Sequence, residues 1–291
     1  MKKIIKCILR RLYVIWSRLF RKRIEAKIVT MSPSELLKGK SALITGATSG
    51  IGYAIAVAFL EAGASVVIAA RNSDKIQSTI KELQKIDNSE GRIFSVVMDV
   101  LDFSKLNNRI EEVISVIPNH IIDILVNNAG IGGVNGVSEE EAYDRIMNTN
   151  LKSVFFITKI VARHMIDNKI KGNILNIASS ASLRPAESAY GLTKWGVRGL
   201  TEGMAKMLIK HGIVVNAVGP GATATPFMGK TNGDEIFNES IPAGRYVMPE
   251  EVANVAVFLT SDMGRMIVGD IVYITGGTGT TTCDDIDYTF N

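Results

Sequence analysis

Cysteine is scarce in this chain. Its 291 residues hold two, Cys7 and Cys283, near opposite ends. No disulfide framework is expected, and a reducing compartment fits the usage. Histidine is nearly as rare: His120, His164 and His211 are scattered, with no HxxxH or CxxC spacing beside them. No metal site is expected. Acids are missing altogether from residues 1–23, where nine of the 33 basic residues lie. The other 24 basic residues face 29 acids, so the rest of the chain carries a net charge of −5. A nucleic-acid-binding domain needs its own basic face, and none is expected here.

The apolar residues of the first segment, Ile4, Ile5, Ile8, Leu9, Leu12, Trp16, Leu19 and Phe20 among them, recur at spacings of three and four. They form one helical face opposite Lys3, Lys6, Arg10, Arg18 and Arg21. The longest charge-free run there, 12–17, is too short to span a bilayer. Arg10, Arg11 and Arg18 interrupt the apolar core that a secretory signal requires. The pattern suits a helix lying in an anionic membrane interface through residues 4–23. Packing on the domain or a partner, and an organellar presequence, remain open. Cys7 is a candidate acylation site, though an unmodified cysteine is the plainer reading. The expected location is cytoplasmic, peripheral at the inner face of a membrane. The expected organisation is a basic amphipathic tail at 1–30, a linker at 31–40, a catalytic domain at 41–280 and a C-terminal tail at 281–291.

From Ser41 short apolar runs alternate with longer amphipathic stretches. Strands are expected at 42–44, 65–69, 92–97, 122–126, 173–177, 214–217 and 271–274. Helices are expected near 51–62, 73–86, 104–114, 139–167, 189–210 and 249–260. That alternation predicts an α/β Rossmann-type doubly wound parallel sheet of about seven strands, with helices on both faces.

Glycines stand at 46, 50 and 52, after the first strand and before an apolar helix. Glycine there lets the backbone approach a pyrophosphate, and the helix N-terminus offers free N–H groups to it. Ser49 and Ile51 belong to the same turn. The second strand ends at Ala70 followed by Arg71. An acid at that place would bond a ribose 2′-hydroxyl, whereas an arginine pairs with a 2′-phosphate. NADP(H) is therefore expected over NAD(H).

Tyr190 and Lys194 are four residues apart, on one face of an expected helix. An ammonium beside a phenol favours the phenolate, so Lys194 is expected to lower the Tyr190 pKa towards working pH. Such a tyrosine exchanges a proton with a nascent alkoxide.

With the glycine turn, Asp99-Val100, the NNAG run at 127–130, Asn150, the Tyr190/Lys194 pair and Pro220-Gly221, the sequence resembles the classical short-chain dehydrogenase/reductase family over about 38–277. The resemblance implies a carbonyl–alcohol oxidoreductase, with Asn150, Ser179, Tyr190 and Lys194 catalytic. It places Asp99 and Val100 at the adenine, and Asn128, Ala129 and Gly130 near the cofactor ribose. Pro220, Gly221, Thr223 and Thr225 fall near the nicotinamide, with Tyr190 and Lys194 also touching the cofactor. Asn150 would position a water linking Lys194 to solvent. The family's serine usually lies 13 residues before the tyrosine, and that position here is Ile177. The strand-end pattern instead points to Ser179, with Ser180 and Ser182 as alternatives and a loop two residues shorter. Arg184-Pro185-Ala186 falls on that loop. Trp195, Phe227, Met228 and Phe237 are candidate pocket walls, and 226–245 a candidate substrate lid. A homodimer or homotetramer is implied, built on the helices near 139–167 and 189–210. Acyl-thioesters, steroids, sugars and quinones all remain open as substrates. An alternative is a membrane-tethered NADP(H)-binding regulator with little turnover.

Overall fold

A computed structural model describes residues 35–231 and 233–282. The expected tail helix, its membrane contact, Cys7 and Cys283 lie outside the described residues. The strands are β1 (Ser41–Thr45), β2 (Ser65–Ala70), β3 (Ile93–Val97), β4 (Ile124–Asn127), β5 (Asn173–Ile177), β6 (Val214–Pro220) and β7 (Ile271–Ile274). They form one seven-stranded parallel sheet in the order β3-β2-β1-β4-β5-β6-β7. The helices are α1 (Gly50–Glu61), α2 (Ser73–Leu83), α3 (Leu106–Val116), α4 (Glu139–Met147), α5 (Ser153–Asp167), α6 (Ala189–Leu208) and α7 (Pro249–Thr260). This is the Rossmann-type α/β fold expected from the alternation.

The central strands β1, β4, β5 and β6 are buried throughout because helices cover both faces. Ala42 and Ile44 of β1 point into a core with Ile55 and Phe59 of α1 and Val252 and Ala256 of α7. Leu43, between them, points the other way, into a core with Ile110 of α3, Val161 of α5 and Met204 of α6. Single side chains start several helices. Asn72 accepts from Lys75 N at 2.8 Å and Ser188 from Gly191 N at 3.2 Å. Both satisfy first-turn donors that the helix itself leaves unpaired.

Two expectations need correction. The single helix expected over 139–167 is two helices joined by a π-turn at Asn148–Lys152. The strand expected at 214–217 runs on to Pro220, because Val218, Gly219 and Pro220 pair with Val272, Tyr273 and Ile274. Proline is tolerated there because it is the last residue of the strand. Within the expected linker, Leu37 is 1% exposed and its N–H donates to Ala62 O at 2.8 Å. Among the described residues no helix is long and apolar enough to cross a membrane, and no group of side chains is placed to hold a metal ion.

Candidate active site

The chain runs outwards from β1 to β2 and β3, then crosses back to place β4 on the other side of β1. Successive connections therefore leave β1 and β4 towards opposite faces, and a crevice opens at their carboxyl ends. A cleft of about 1130 Å³ occupies that place.

At its centre is the turn between β1 and α1. Gly46 and Gly50 have φ of +67° and +55°, conformations that favour glycine. A Cβ on Gly52 would collide with Asn128 Nδ2 and lie 2.5 Å from Gly46 O, so this glycine packs behind the turn and does not line the cleft. Gly46, Ser49, Gly50 and Ile51 do line it. Asn128 holds the turn from beneath, its Nδ2 donating to Thr45 O at 2.9 Å and Gly46 O at 3.0 Å. Thr45 Oγ1 in return accepts from Asn128 N and Ala129 N, at 3.0 and 3.1 Å. The segment 128–130 is thereby stitched to the end of β1. Ser49 makes no side-chain cap to α1, and the first turn of α1 holds no acid. Its N–H groups and positive dipole end are open to an anion, so the residues fit a dinucleotide pyrophosphate.

One end of the cleft is bounded by Arg71 and Lys75 after β2, and by Asp99 and Val100 after β3. Sequence reasoning missed Lys75. A cation in the first turn of a helix opposes the macrodipole, which was the available signal. Across the phosphate turn, Pro220, Gly221, Thr223 and Thr225 form the wall. Thr225 Cγ2 would stand 3.2 Å from a Cβ on Gly50.

The chemistry-bearing groups meet on β5 and α6. Ser179 follows β5 in extended backbone, and its Oγ accepts from Ala181 N at 3.1 Å. That leaves its proton to be donated. Tyr190 and Lys194 lie one turn apart on α6, and both line the cleft with Ser179. Lys194 is 7% exposed and its Nζ donates to Ile177 O at 2.8 Å. Burial pushes its pKa down to about 8. Nζ stands 5.5 Å from the Tyr190 ring centre.

The phenol does not follow the expected direction. Burial raises the Tyr190 pKa, and the hydrogen bond with Ser179 only partly opposes the rise. Desolvation of the phenolate dominates, and burial also disfavours the charge of the neighbouring Lys194. Of the alternative serines, Ser182 is fully buried, donates to Ser179 O at 2.8 Å and meets Tyr273 Oη at 2.9 Å. Ser180 is 5% exposed and lines the cleft beside Ser179.

Asn150 sits in the π-turn, 1% exposed and outside the cleft wall. Its Oδ1 accepts from Ile131 N and its Nδ2 donates to Ile131 O, both at 2.8 Å. It clamps the strand of chain that follows Gly130. Phe227 and Met228 line the cleft, and the Phe227 ring lies 6.1 Å from that of Tyr190. Trp195 and Phe237 do not line it. Arg184, Pro185 and Ala186 do, and Trp195 Nε1 donates to Arg184 O at 2.8 Å. Arg145 also reaches the wall, a position the sequence did not single out.

The short chain dehydrogenase family model matches residues 40–236. The chain is 37% identical over 247 residues to the 3-oxoacyl-[acyl-carrier-protein] reductase of Thermotoga maritima, covering 83% of this chain and 98% of that protein. It is 36% identical to gluconate 5-dehydrogenase of Gluconobacter oxydans, covering 83% and 95%. Among solved structures, the 3-ketoacyl-(acyl-carrier-protein) reductase of Brucella melitensis complexed with NADH superposes with a TM-score of 0.73 at 34% identity, covering 84% and 99%. The chain belongs to the short-chain dehydrogenase/reductase family, and it is an oxidoreductase that acts between alcohol and carbonyl with a nicotinamide cofactor.

Proposed function

We propose that this protein reduces a carbonyl to an alcohol with NADP(H), or runs the reverse, with Tyr190 as general acid and base. The observation that carries the reading is the convergence of Ser179, Tyr190 and Lys194 on one wall of a cleft that begins at an uncapped helix N-terminus. The backbone of Gly46, Ser49, Gly50 and Ile51 would take the pyrophosphate, with Gly52 packed beneath. Asp99 and Val100 would face the adenine, and Asn128, Ala129 and Gly130 the ribose. Pro220, Gly221, Thr223 and Thr225 would hold the nicotinamide end. A nicotinamide dinucleotide bound along this track supplies hydride to the carbonyl carbon in one direction and accepts it in the other.

The chain's own groups manage the oxygen. Ser179, whose Oγ accepts from Ala181 N and pairs with the Tyr190 hydroxyl, can turn its proton to the carbonyl oxygen. Tyr190 Oη gives its proton to the same oxygen, and a phenol with a raised pKa is protonated and ready to do so. Lys194, fixed by Ile177 O, faces the Tyr190 ring and favours the phenolate left behind. Asn150 positions the wall at Ile131. Its amide is committed there, so a water relay through Asn150 would run from its main chain.

The preference for NADP(H) rests on the end of β2. Ala70 offers no carboxylate to a 2′-hydroxyl, while Arg71 and Lys75 line the cleft beside it and would pair with a 2′-phosphate. We also propose that residues 4–23 make peripheral contact with an anionic membrane surface, and that the protein acts as a homodimer or homotetramer. The charge asymmetry supports the first, and family resemblance the second.

The test is NADPH and NADH oxidation over a panel of ketones, sugars and acyl-thioesters. NADPH-selective turnover that falls by about 10²–10⁴-fold in Tyr190→Phe, with dinucleotide binding retained, is the expected result. Dinucleotide binding without turnover on any carbonyl would overturn it. Arg71→Ser is expected to shrink the NADPH-over-NADH preference in kcat/KM at least tenfold.

A further inference from the structure

From residue 24 onwards the chain is net acidic, yet its cleft is not. Among the described residues the charged groups lining it are Arg71, Lys75, Arg145, Arg184 and Lys194 against Asp99 and Glu187. A cationic cleft in an acidic molecule concentrates field on anions. In the reading above, Arg71 and Lys75 serve the dinucleotide and Lys194 serves Tyr190. Arg145 and Arg184 have no such use. Arg145 is already engaged, its Nη2 2.6 Å from Glu141 Oε1. Arg184 has no carboxylate partner among the described residues, unlike Arg109, Arg145, Arg198 and Arg245.

Its position is built rather than incidental. Arg184 lies on the shortened loop between Ser179 and Tyr190. Trp195 Nε1 holds its carbonyl at 2.8 Å, and Arg198 Nη1 reaches Ser182 O at 3.3 Å. Two residues on, Ala186 Cα stands 3.3 Å from where a Cβ on Gly191 would sit, so the loop lies against the first turn of α6 beside Tyr190. The backbone is fixed while the exposed side chain edges the cleft. Pro185, Phe227 and Met228 add apolar groups to the same cleft, and the Phe227 ring lies 6.1 Å from that of Tyr190.

We propose that Arg184 is a specificity-determining residue that takes an anionic group, carboxylate or phosphate, on a ketone substrate whose carbonyl lies at Ser179 and Tyr190. This rests on the reading of the cleft as a carbonyl reductase site. A guanidinium fork matches either anion in a bidentate way. The apolar wall then sets a short uncharged stretch between anion and carbonyl.

The experiment measures NADPH-dependent reduction of matched pairs. The pairs are 4-oxopentanoate against its methyl ester, and dihydroxyacetone phosphate against dihydroxyacetone. The two pairs separate carboxylate from phosphate as the preferred anion. The wild type is expected to favour the anionic member of at least one pair by tenfold or more in kcat/KM, with the preference falling as salt rises. In Arg184→Gln that preference is expected to collapse, mainly through KM of the anionic ketone. Arg184→Lys is expected to restore part of it, and KM for NADPH to move less than twofold. Equal losses on both members of a pair would mean that Arg184 only supports the wall, and would overturn the proposal. An unchanged preference in Arg184→Gln would do the same. If the wild type reduces no ketone, the reductase reading fails instead. The anion site is then judged by the change in fluorescence of bound NADPH on adding 4-oxopentanoate. Identical responses in wild type and Arg184→Gln would sink it.

Discussion

Lys194 gives the molecule a pH signature that can be read without any substrate. Its pKa is about 8 in the folded chain against 10.5 for the free side chain. Below pH 8 folded and unfolded forms both hold the proton, and the cost of burying the charge is fully present. Between pH 8 and 10.5 the unfolded chain binds a proton that the folded chain has released, so stability rises with pH. Tyr190 and Tyr53 are shifted upwards by burial and act in the opposite sense, but only from about pH 10 upwards. The clean window is therefore pH 8 to 10. Denaturant midpoints at pH 8, 9 and 10 are expected to rise, with a slope approaching about 1.4 kcal/mol per unit. Lys194→Met is expected to flatten that rise, and an unaltered slope would contradict the assignment. At this scale the sequence was informative about identity and silent about environment. That Tyr190 and Lys194 share a face of α6 was legible from a four-residue spacing, and that Ser179 follows β5 from the strand-end pattern. The direction of the Tyr190 shift was not, because it depends on how deeply the rest of the chain buries the ring.

Elements were legible wherever a period persisted. Alternation of apolar runs and amphipathic stretches gave the strands and helices of the sheet within a few residues. The π-turn at Asn148–Lys152 escaped because one wide turn leaves the apolar pattern on either side intact. Its effect is nonetheless local and large: it is where Asn150 clamps Ile131. The phosphate turn shows the same economy. Gly52 was read as a backbone that approaches the ligand, but the close approach is to Asn128 and Gly46. Gly52→Ala must push Asn128 away, and Asn128 is what holds Thr45 and Gly46. The substitution is expected to destabilise the fold by about 1–3 kcal/mol, as overpacking does. It should also weaken dinucleotide binding at least tenfold. Thermal melts with and without NADP would measure both, and wild-type binding in this variant would contradict the account.

Over the whole molecule the charge divides by region. Nine cations crowd residues 1–23 while the remainder is net negative. A peripheral membrane role for the tail predicts that removing residues 1–30 abolishes sedimentation with anionic vesicles and leaves turnover on water-soluble ketones within about twofold. Equal sedimentation of full-length and truncated protein would end that proposal. Fold class was readable at this scale because βαβ alternation admits few topologies. The charge of the cleft was not, because Arg71 with Lys75, Arg145 and Arg184 come from three separate stretches that only the crossing of the chain brings together.

The strand order also sets a timetable for synthesis. β1 is the earliest strand of the described chain and stands in the interior of its sheet, flanked by β2 and β4. β2 follows closely, but Asn128, which bonds Gly46, comes 82 positions later. At translation rates of about 5–20 residues per second, β1 waits roughly 4–16 s with one apolar edge unpaired. Such an edge invites pairing with other chains, so the growing polypeptide is most in need of chaperone cover while β1, β2 and β3 stand alone. The dinucleotide cannot shorten that interval, because the turn that would receive it is not held in shape until Asn128 has been made.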